Sequence, residues 1–477
     1  MQKGSGYITV YLSLTLGILI SLITTMLYGA RIHTIRFEAE CAMDMGLDSI
    51  FAEYHREMLR QYGLLFIDSS YGSEIPSDDY VAAHLINYMN MNFDNKSSNG
   101  VIDITATHAD NGKLANTAYA SDASGEVLRY QIGQYMKNKR QYSEASAFLD
   151  GVTDLTELLA RYDSYAEERE AAEARVIAII DDINSRRDPE EELFTVSNPA
   201  DAVDRLSVSN ALFYAFGNNL ELNYKQIDKG SYIAARGYRS GAGLTNEQRK
   251  NSYIASKPVV CKYLFGKCGY WDNEKYDSAL NYQIEYILKK QDSDIKNIGE
   301  IVTDIFKIRY VINMMYLLSD SGKQSEAEAV ALIAASILAV PELVDAIKYT
   351  ILFAWGYVES AKDLRMLFAG NKLPMFKNSS NWNTPLYQLV GFRMYLDSYS
   401  NAGGELGYEE FLKAFLLMED ISQITLGLMD IMEMDIRLTP GNSGFRMDGQ
   451  IYQSDIEVNL SSSYGYGCTI KRFYSYE

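Results

Sequence analysis

The chain has 477 residues, 47% of them hydrophobic and 22% charged, a composition that excludes wholesale disorder and predicts two or three structural units. A formal charge of −19 excludes the basic footprint of a nucleic-acid-binding protein, so nucleic acid is not expected among its partners. Four cysteines, Cys41, Cys261, Cys268 and Cys468, with no CxxC among them, exclude a disulfide scaffold and carry no zinc or redox motif.

The chain opens on GSGYITVYLSLTLGILISLITTMLYGA, 27 residues without a charge between Lys3 and Arg31. Its apolar run, Tyr7 to Tyr28, would make a helix of roughly 33 Å, matching a hydrocarbon core of about 30 Å. It is longer than the apolar core of a signal peptide and no A-x-A site follows it, so the sequence predicts a retained single span. Lys3 lies on one side of it and Arg31 and Arg36 on the other, a nearly balanced count. Because a long domain follows, we expect residues 1–5 to form a cytoplasmic head, 6–29 the transmembrane helix, and the bulk of the chain to be extracytoplasmic.

From Arg31 the pattern continues without a Gly-Pro break to about Asp68. Ile35, Ala39, Ala42, Gly46, Ile50, Tyr54 and Met58 recur at three- or four-residue steps, the spacing of one helical face, which predicts an amphipathic stem helix over 30–67. Residues 68–223 read as a mixed region. VAAHLINYMN is helical in pattern, VIDITATHAD alternates as a strand over 101–107, and Gln131–Asp188 suggests a helical hairpin or a short coiled coil with a charged, solvated face.

Residues 224–272 differ in character. Between Tyr224 and Lys267 nine Lys or Arg face two acids, a local +7 in an acidic chain, accompanied by glycines and five tyrosines. This predicts a long exposed loop or small subdomain. Its cations, Lys225, Lys229, Arg236, Arg239, Arg249 and Lys250, are candidate partner-binding residues for an anionic surface: sister subunits, phospholipid heads or wall polymers. The other reading is that they complement the protein's own acidic helices. Cys261 and Cys268 are a candidate disulfide whose short loop would contribute roughly 2.5 kcal/mol; two reduced thiols fit the spacing equally. Residues 273–438 carry the strongest helical pattern, with Tyr408–Leu438 read as one helix ended by Pro440 and Gly441. The uncharged run Ala329–Pro341 is too short for a second span and predicts a core helix. In 439–477, Ile456, Val458 and Leu460 alternate, then Tyr466, Cys468, Ile470 and Tyr474, which predicts a C-terminal β-hairpin. We expect it to pair with the 101–107 strand near the root of the N-terminal helix. The fold class is therefore α+β, predominantly α.

A short basic head, glycine, an apolar span and an amphipathic continuation make KGSGYITVYLSLTLGILISL, Lys3 to Leu22, similar to the N-termini of TadE/TadG-type, pseudopilin-like proteins of tight-adherence pilus systems. Residues 30–68, 295–320, 353–377 and 408–437 resemble an uncharacterised family of large TadG-like proteins of clostridial-type Gram-positive bacteria. The resemblance implies an envelope location and association with pilus or secretion-system proteins, and no reaction. Processed prepilins of this class carry Glu at the fifth mature position; here that position is Thr9 or Tyr11, and the first acid is Glu38. The departure favours an uncleaved, membrane-anchored accessory.

No chemistry stands out. His33, His55, His84 and His108 have no HxxxH spacing, and GxxxxGK[ST] and GxSxG are missing. Ser293-Asp294-Ile295-Lys296 is an SxxK without a supporting KTG. No cofactor, metal or catalytic residue is expected. The sequence predicts a non-catalytic single-pass envelope protein assisting assembly or anchoring of a pilus or secretion apparatus. A surface adhesin or wall-binding module is the alternative, and an envelope hydrolase a weaker one. The 37 tyrosines, against 18 Phe and 3 Trp, suit contact surfaces or core margins alike.

Overall fold

The computed structural model describes residues 5–94, 105–139, 145, 148, 155–187, 192, 193, 195, 203, 206–218, 222–250, 256–338, 340–400 and 403–476. The helices are α1 (Ser5–Phe51), α2 (Asp78–Asp94), α3 (Asp122–Asn138), α4 (Thr156–Ser185), α5 (Val208–Phe216), α6 (Asn246–Lys250), α7 (Lys257–Lys267), α8 (Gln283–Lys289), α9 (Asp294–Ser319), α10 (Ser321–Leu338), α11 (Leu343–Phe368), α12 (Tyr408–Met418) and α13 (Ile421–Arg437). The strands are β1 (Ile67–Asp68), β2 (Thr107–Tyr119), β3 (Gln450–Ser462) and β4 (Gly467–Ser475). The architecture is mostly helical with one small antiparallel sheet, as the sequence predicts. The chain forms two compact units: Met1–Arg140, Tyr232–Ser256 and Met432–Glu477 make one, Gln141–Ser231 and Lys257–Ile431 the other.

In the first unit β3 is the central strand. It pairs with β2 along one edge and with β4, and briefly β1, along the other, all antiparallel. The hairpin alternation holds: Ile456, Val458 and Leu460 are buried, as is Ile470 opposite Val458. The partner strand lies later than the alternation suggests, at 107–119, with 101–104 outside the described residues. THADNGKLANTAY hides this strand from a pattern search because its burial comes mainly from Ala109, Leu114 and Ala118, and bulges at 109–111 and 115–118 break the period.

The expected stripe on α1 is buried from Ile35 through Ile50, against α2 and the sheet. Gly46 sets the distance to α2, since a Cβ there would stand 2.8 Å from Leu85 Cδ1. The helix ends at Phe51, however, well before residue 67. Tyr54 bridges Ile67, and the His55 amide donates to the Phe66 carbonyl at 2.9 Å. A π turn at Met58–Tyr62 and left-handed Gly63 (φ 74°) reverse the chain so that it returns as β1. Strand pairing here outweighs the helical period, which Met58 nonetheless continues by being buried.

In the second unit α9 and α11 pack on one another, with α4 and α5 against both and α10 against α11. Ala329–Leu338 lies within α10 as a helix, but not as the expected core helix: between 329 and 336 only Ala331 and Ala335 are buried, and Leu332 and Ile333 are exposed. The expected single helix over Tyr408–Leu438 is two. The chain breaks at Glu419–Asp420, where the Asp420 carboxylate accepts the Ser422 amide at 2.7 Å and starts α13. No Gly or Pro marks that break.

Replacing Gly46 with Leu forces side-chain bulk between α1 and α2 and should destabilise the first unit by about 1–3 kcal/mol. Hydrogen exchange would read it as lost protection over α2 and β3. Unaltered exchange there would contradict the close approach.

Candidate functional site

The first functional feature is the upper half of α1. From Tyr7 to Tyr28 its large apolar side chains stand 51–80% exposed, and α1 is long and apolar enough to cross a membrane. No other described helix has that character. Three turns further on the same helix is buried. The transition falls at Arg31–Arg36, where the β3–β4 turn meets it: the Arg31 guanidinium lies 3.9 Å from the centre of the Tyr464 ring, and Arg36 Nε donates to Tyr466 Oη. Further along, Arg472 pairs with Asp44 at 3.2 Å, Tyr474 donates to Asp48 at 2.9 Å, and Tyr476 donates to the Phe51 carbonyl at 2.8 Å. The apolar half and the sheet therefore share one continuous helix.

The second is the basic stretch, which is neither one loop nor one subdomain. Tyr232–Ser256 belongs to the first unit, while Lys225, Lys229 and α7 belong to the second. Arg236 Nη2 reaches the fully buried Glu433 at 2.7 Å and the fully buried Asp448 at 2.9 Å. Arg239 Nη2 pairs with Asp78 at 3.0 Å, and its guanidinium lies 4.4 Å from the Tyr119 ring centre. Between these contacts and α6, the Gly241 and Gly243 amides donate to Asp122 at 2.6 and 3.0 Å. Gly241 has no room for a side chain, because a Cβ would come 2.1 Å from the Thr117 carbonyl oxygen. The segment is a strap, held by acids of its own unit. In the second unit Lys225 Nζ donates to the Tyr276 and Ser278 carbonyls and to Asn281 Oδ1 at 2.7–2.8 Å, and Lys229 Nζ to the Lys290 carbonyl at 3.0 Å. Arg249, 3.4 Å from Glu126, and Lys250 are exposed.

Cys261 and Cys268 are both buried and are not joined in a disulfide, a correction to the candidate pairing. Seven residues of helical rise separate them by roughly 10 Å, beyond disulfide reach. Burial pushes the Cys261 thiol up to about 12, away from reactivity.

Several charged side chains among the described residues are enclosed. In the second unit Lys377 Nζ bridges Glu359 at 2.5 Å and Asp363 at 2.7 Å, and Arg309 holds the other Asp363 oxygen at 2.9 Å. All four are buried; the two cations hold the Asp363 carboxyl below the usual carboxylate range against the cost of burial. Lys362, also buried, donates to Gln388 Oε1 and to the Asn383 and Ser398 carbonyls. Glu285 accepts from Tyr408 Oη at 2.7 Å and the Trp271 amide at 2.8 Å, and burial pushes it up to about 7. A raised carboxyl can serve as a general acid, but this one is sealed from solvent beside the rings of Trp271 and Tyr408, so a substrate has no way to it. Ser293 of the SxxK is buried at the start of α9, and Lys296 is paired with Asp292 at 2.8 Å. Among the described residues no group of His, Cys, Asp and Glu is arranged to hold a metal. His55 bonds Asn442 at 3.0 Å, and His84 lies 3.3 Å from Glu53.

These contacts fix two expectations. Arg236→Ala leaves Glu433 and Asp448 buried with one cation each, Arg437 and Arg446, and should cost the first unit about 2 kcal/mol in denaturant unfolding; Lys250→Glu should change stability by less than about 0.5 kcal/mol. For Glu285, the folded pKa lies above the ordinary 4.5, so the folded state takes up a proton as pH falls through about 7. Its contribution to stability is therefore largest below 4.5 and declines as pH rises to about 7. All three tryptophans, Trp271, Trp355 and Trp382, lie in the second unit, so fluorescence-monitored unfolding reads that unit. Glu285→Gln should flatten its pH slope between 5 and 7, and a slope equal to that of the unsubstituted chain would refute the assignment.

Comparison with known proteins gives one match, to a family model. No curated protein and no solved structure matches the chain. A family model does match residues 189–462, more than half of the length, covering α5 through the end of β3. The chain belongs to that family, DUF5702, a family of unknown function.

Proposed function

We propose that this is a non-catalytic, single-pass envelope protein, TadG-like and pseudopilin-like in layout, that assists assembly or anchoring of a tight-adherence-type pilus or secretion apparatus. The observation that carries the reading is α1: one uninterrupted helix whose first half is apolar and exposed and whose second half is the buried edge of a sheet-containing domain. An exposed apolar helix of this length needs lipid or other apolar helices around it. A folded domain rigidly continuous with such a helix is suited to deliver or hold subunits at the membrane surface. The enclosed carboxylates and lysines of the second unit support a structural rather than a catalytic role. In this reading the bulk of the chain is extracytoplasmic.

Membrane fractionation of the host cell should recover the chain in the carbonate-resistant membrane pellet with Tyr7–Tyr28 still attached by N-terminal sequencing. Deleting its gene should reduce surface pili or the substrate of the secretion apparatus several-fold. Recovery in the cytosol would end the envelope reading; undiminished pili and secretion would end the assembly role.

A further inference from the structure

The β3–β4 turn sits at a height on α1 that its packing alone does not require. At about 1.5 Å per residue, Arg31 lies roughly 4–5 Å beyond Tyr28, the last residue of the apolar run, and Arg36 roughly 12 Å beyond it. A lipid headgroup layer is about 5–8 Å deep on each face of a bilayer. Tyr464, with its ring 3.9 Å from the Arg31 guanidinium, is thus at headgroup height, and Tyr466, bonded to Arg36, is just above it. Tyr464 remains 42% exposed, and Ser463 and Gly465 beside it are exposed too. The composition of the hairpin end is equally telling. From Val458 to Ile470 there is no charged residue, although Glu457 and Lys471 close the stretch on either side and 22% of the chain is charged. An end that met only water would gain from charge; one that met an interface would be expected to show tyrosine, serine and glycine. Arg31 packs on the Tyr464 ring, at the end of the apolar run.

We propose that the β3–β4 turn is a second membrane contact. Resting on the reading that α1 is inserted, Tyr464 seats in the phospholipid headgroup layer with Tyr466 at its outer margin, while Arg31 takes a lipid phosphate. Two contacts, the span and the turn, fix the rotation of the first unit about the membrane normal, which a single helix cannot do. The occupant is a phospholipid headgroup, whose phosphate and glycerol oxygens suit guanidinium and phenol donors.

The test uses the full chain reconstituted into vesicles of phosphatidylglycerol and phosphatidylethanolamine. Cys41 and Cys468 are replaced by Ser, Cys261 and Cys268 being buried, and one fluorophore is attached at Ser463→Cys. A control carries it at Glu74→Cys, an exposed site following β1, which pairs with the opposite end of β3. A nitroxide on the lipid headgroup should quench the label at 463 about twofold or more and leave that at 74 nearly unchanged, as expected for sites separated by a strand of roughly 40 Å. Adding Tyr464→Ser and Tyr466→Ser should cut the quenching at 463 by about half. Flotation of the same vesicles separates the two claims. A chain that floats but is unquenched at 463, or quenched equally at both sites, overturns the turn contact alone. A chain that does not float overturns the anchor and the turn contact together.

Discussion

The first unit depends on the close packing of the lower half of α1, through Ala39, Ala42 and Gly46, into the space between α2 and the sheet. Small residues let the helix axis approach Leu85 and Met89 closely, and Met43, Leu47 and Ile50 then fill the layer over Ile456, Val458, Leu460 and Ile470. Without that helix the inner face of the sheet keeps α2 as its cover. The same residues therefore seal a core and carry the apolar half of α1. This coupling makes the apolar half of α1 continuous with a structural member: a tilt of the upper helix is felt by the sheet directly.

The strap over Tyr232–Ser256 follows from the same need to satisfy buried groups. Glu433 and Asp448 lie inside the first unit, and a buried carboxylate requires a cation with good hydrogen-bond geometry. Arg236 supplies it from a segment almost two hundred residues away in sequence. Arg239 and the Gly241 and Gly243 amides act in the same way on Asp78 and Asp122. The local basic excess is thus largely consumed within the molecule. Arg236 and Arg239 meet acids of their own unit, Lys225 and Lys229 meet carbonyl oxygens and Asn281, and Arg249 and Lys250 stand exposed.

The second unit holds charge inside by a different arrangement. Helix α11 is buried almost all round from Thr350 to Phe368, so Glu359, Lys362 and Asp363 have no solvent to face. Arg309 from α9 and Lys377 from the following loop balance the two acids, and backbone carbonyls receive Lys362. Networks of this kind contribute little net stability against a hydrophobic replacement, but they penalise any packing that separates the partners. They hold α9, α11 and the 377–384 loop in one register.

The features legible in the sequence were those with a local physical cause. The stripe from Ile35 to Ile50 and the alternation at Ile456–Leu460 each encode which side of an element avoids water, and both are buried in the structure, while the apolar run Tyr7–Tyr28 forms the exposed half of a helix. The tertiary structure decided what depends on a distant partner. It ends α1 at Phe51 because β1 must reach β3, and it builds β2 from a polar segment because β3 offers it a ladder. It pairs Arg236 with Glu433 and Asp448, which no local spacing signals. It also keeps Cys261 and Cys268 apart, since the helix that forms between them holds them two turns from one another. Periodicity records the water boundary of a single element, whereas strand registers and buried ion pairs are set by residues that meet only when the chain is folded.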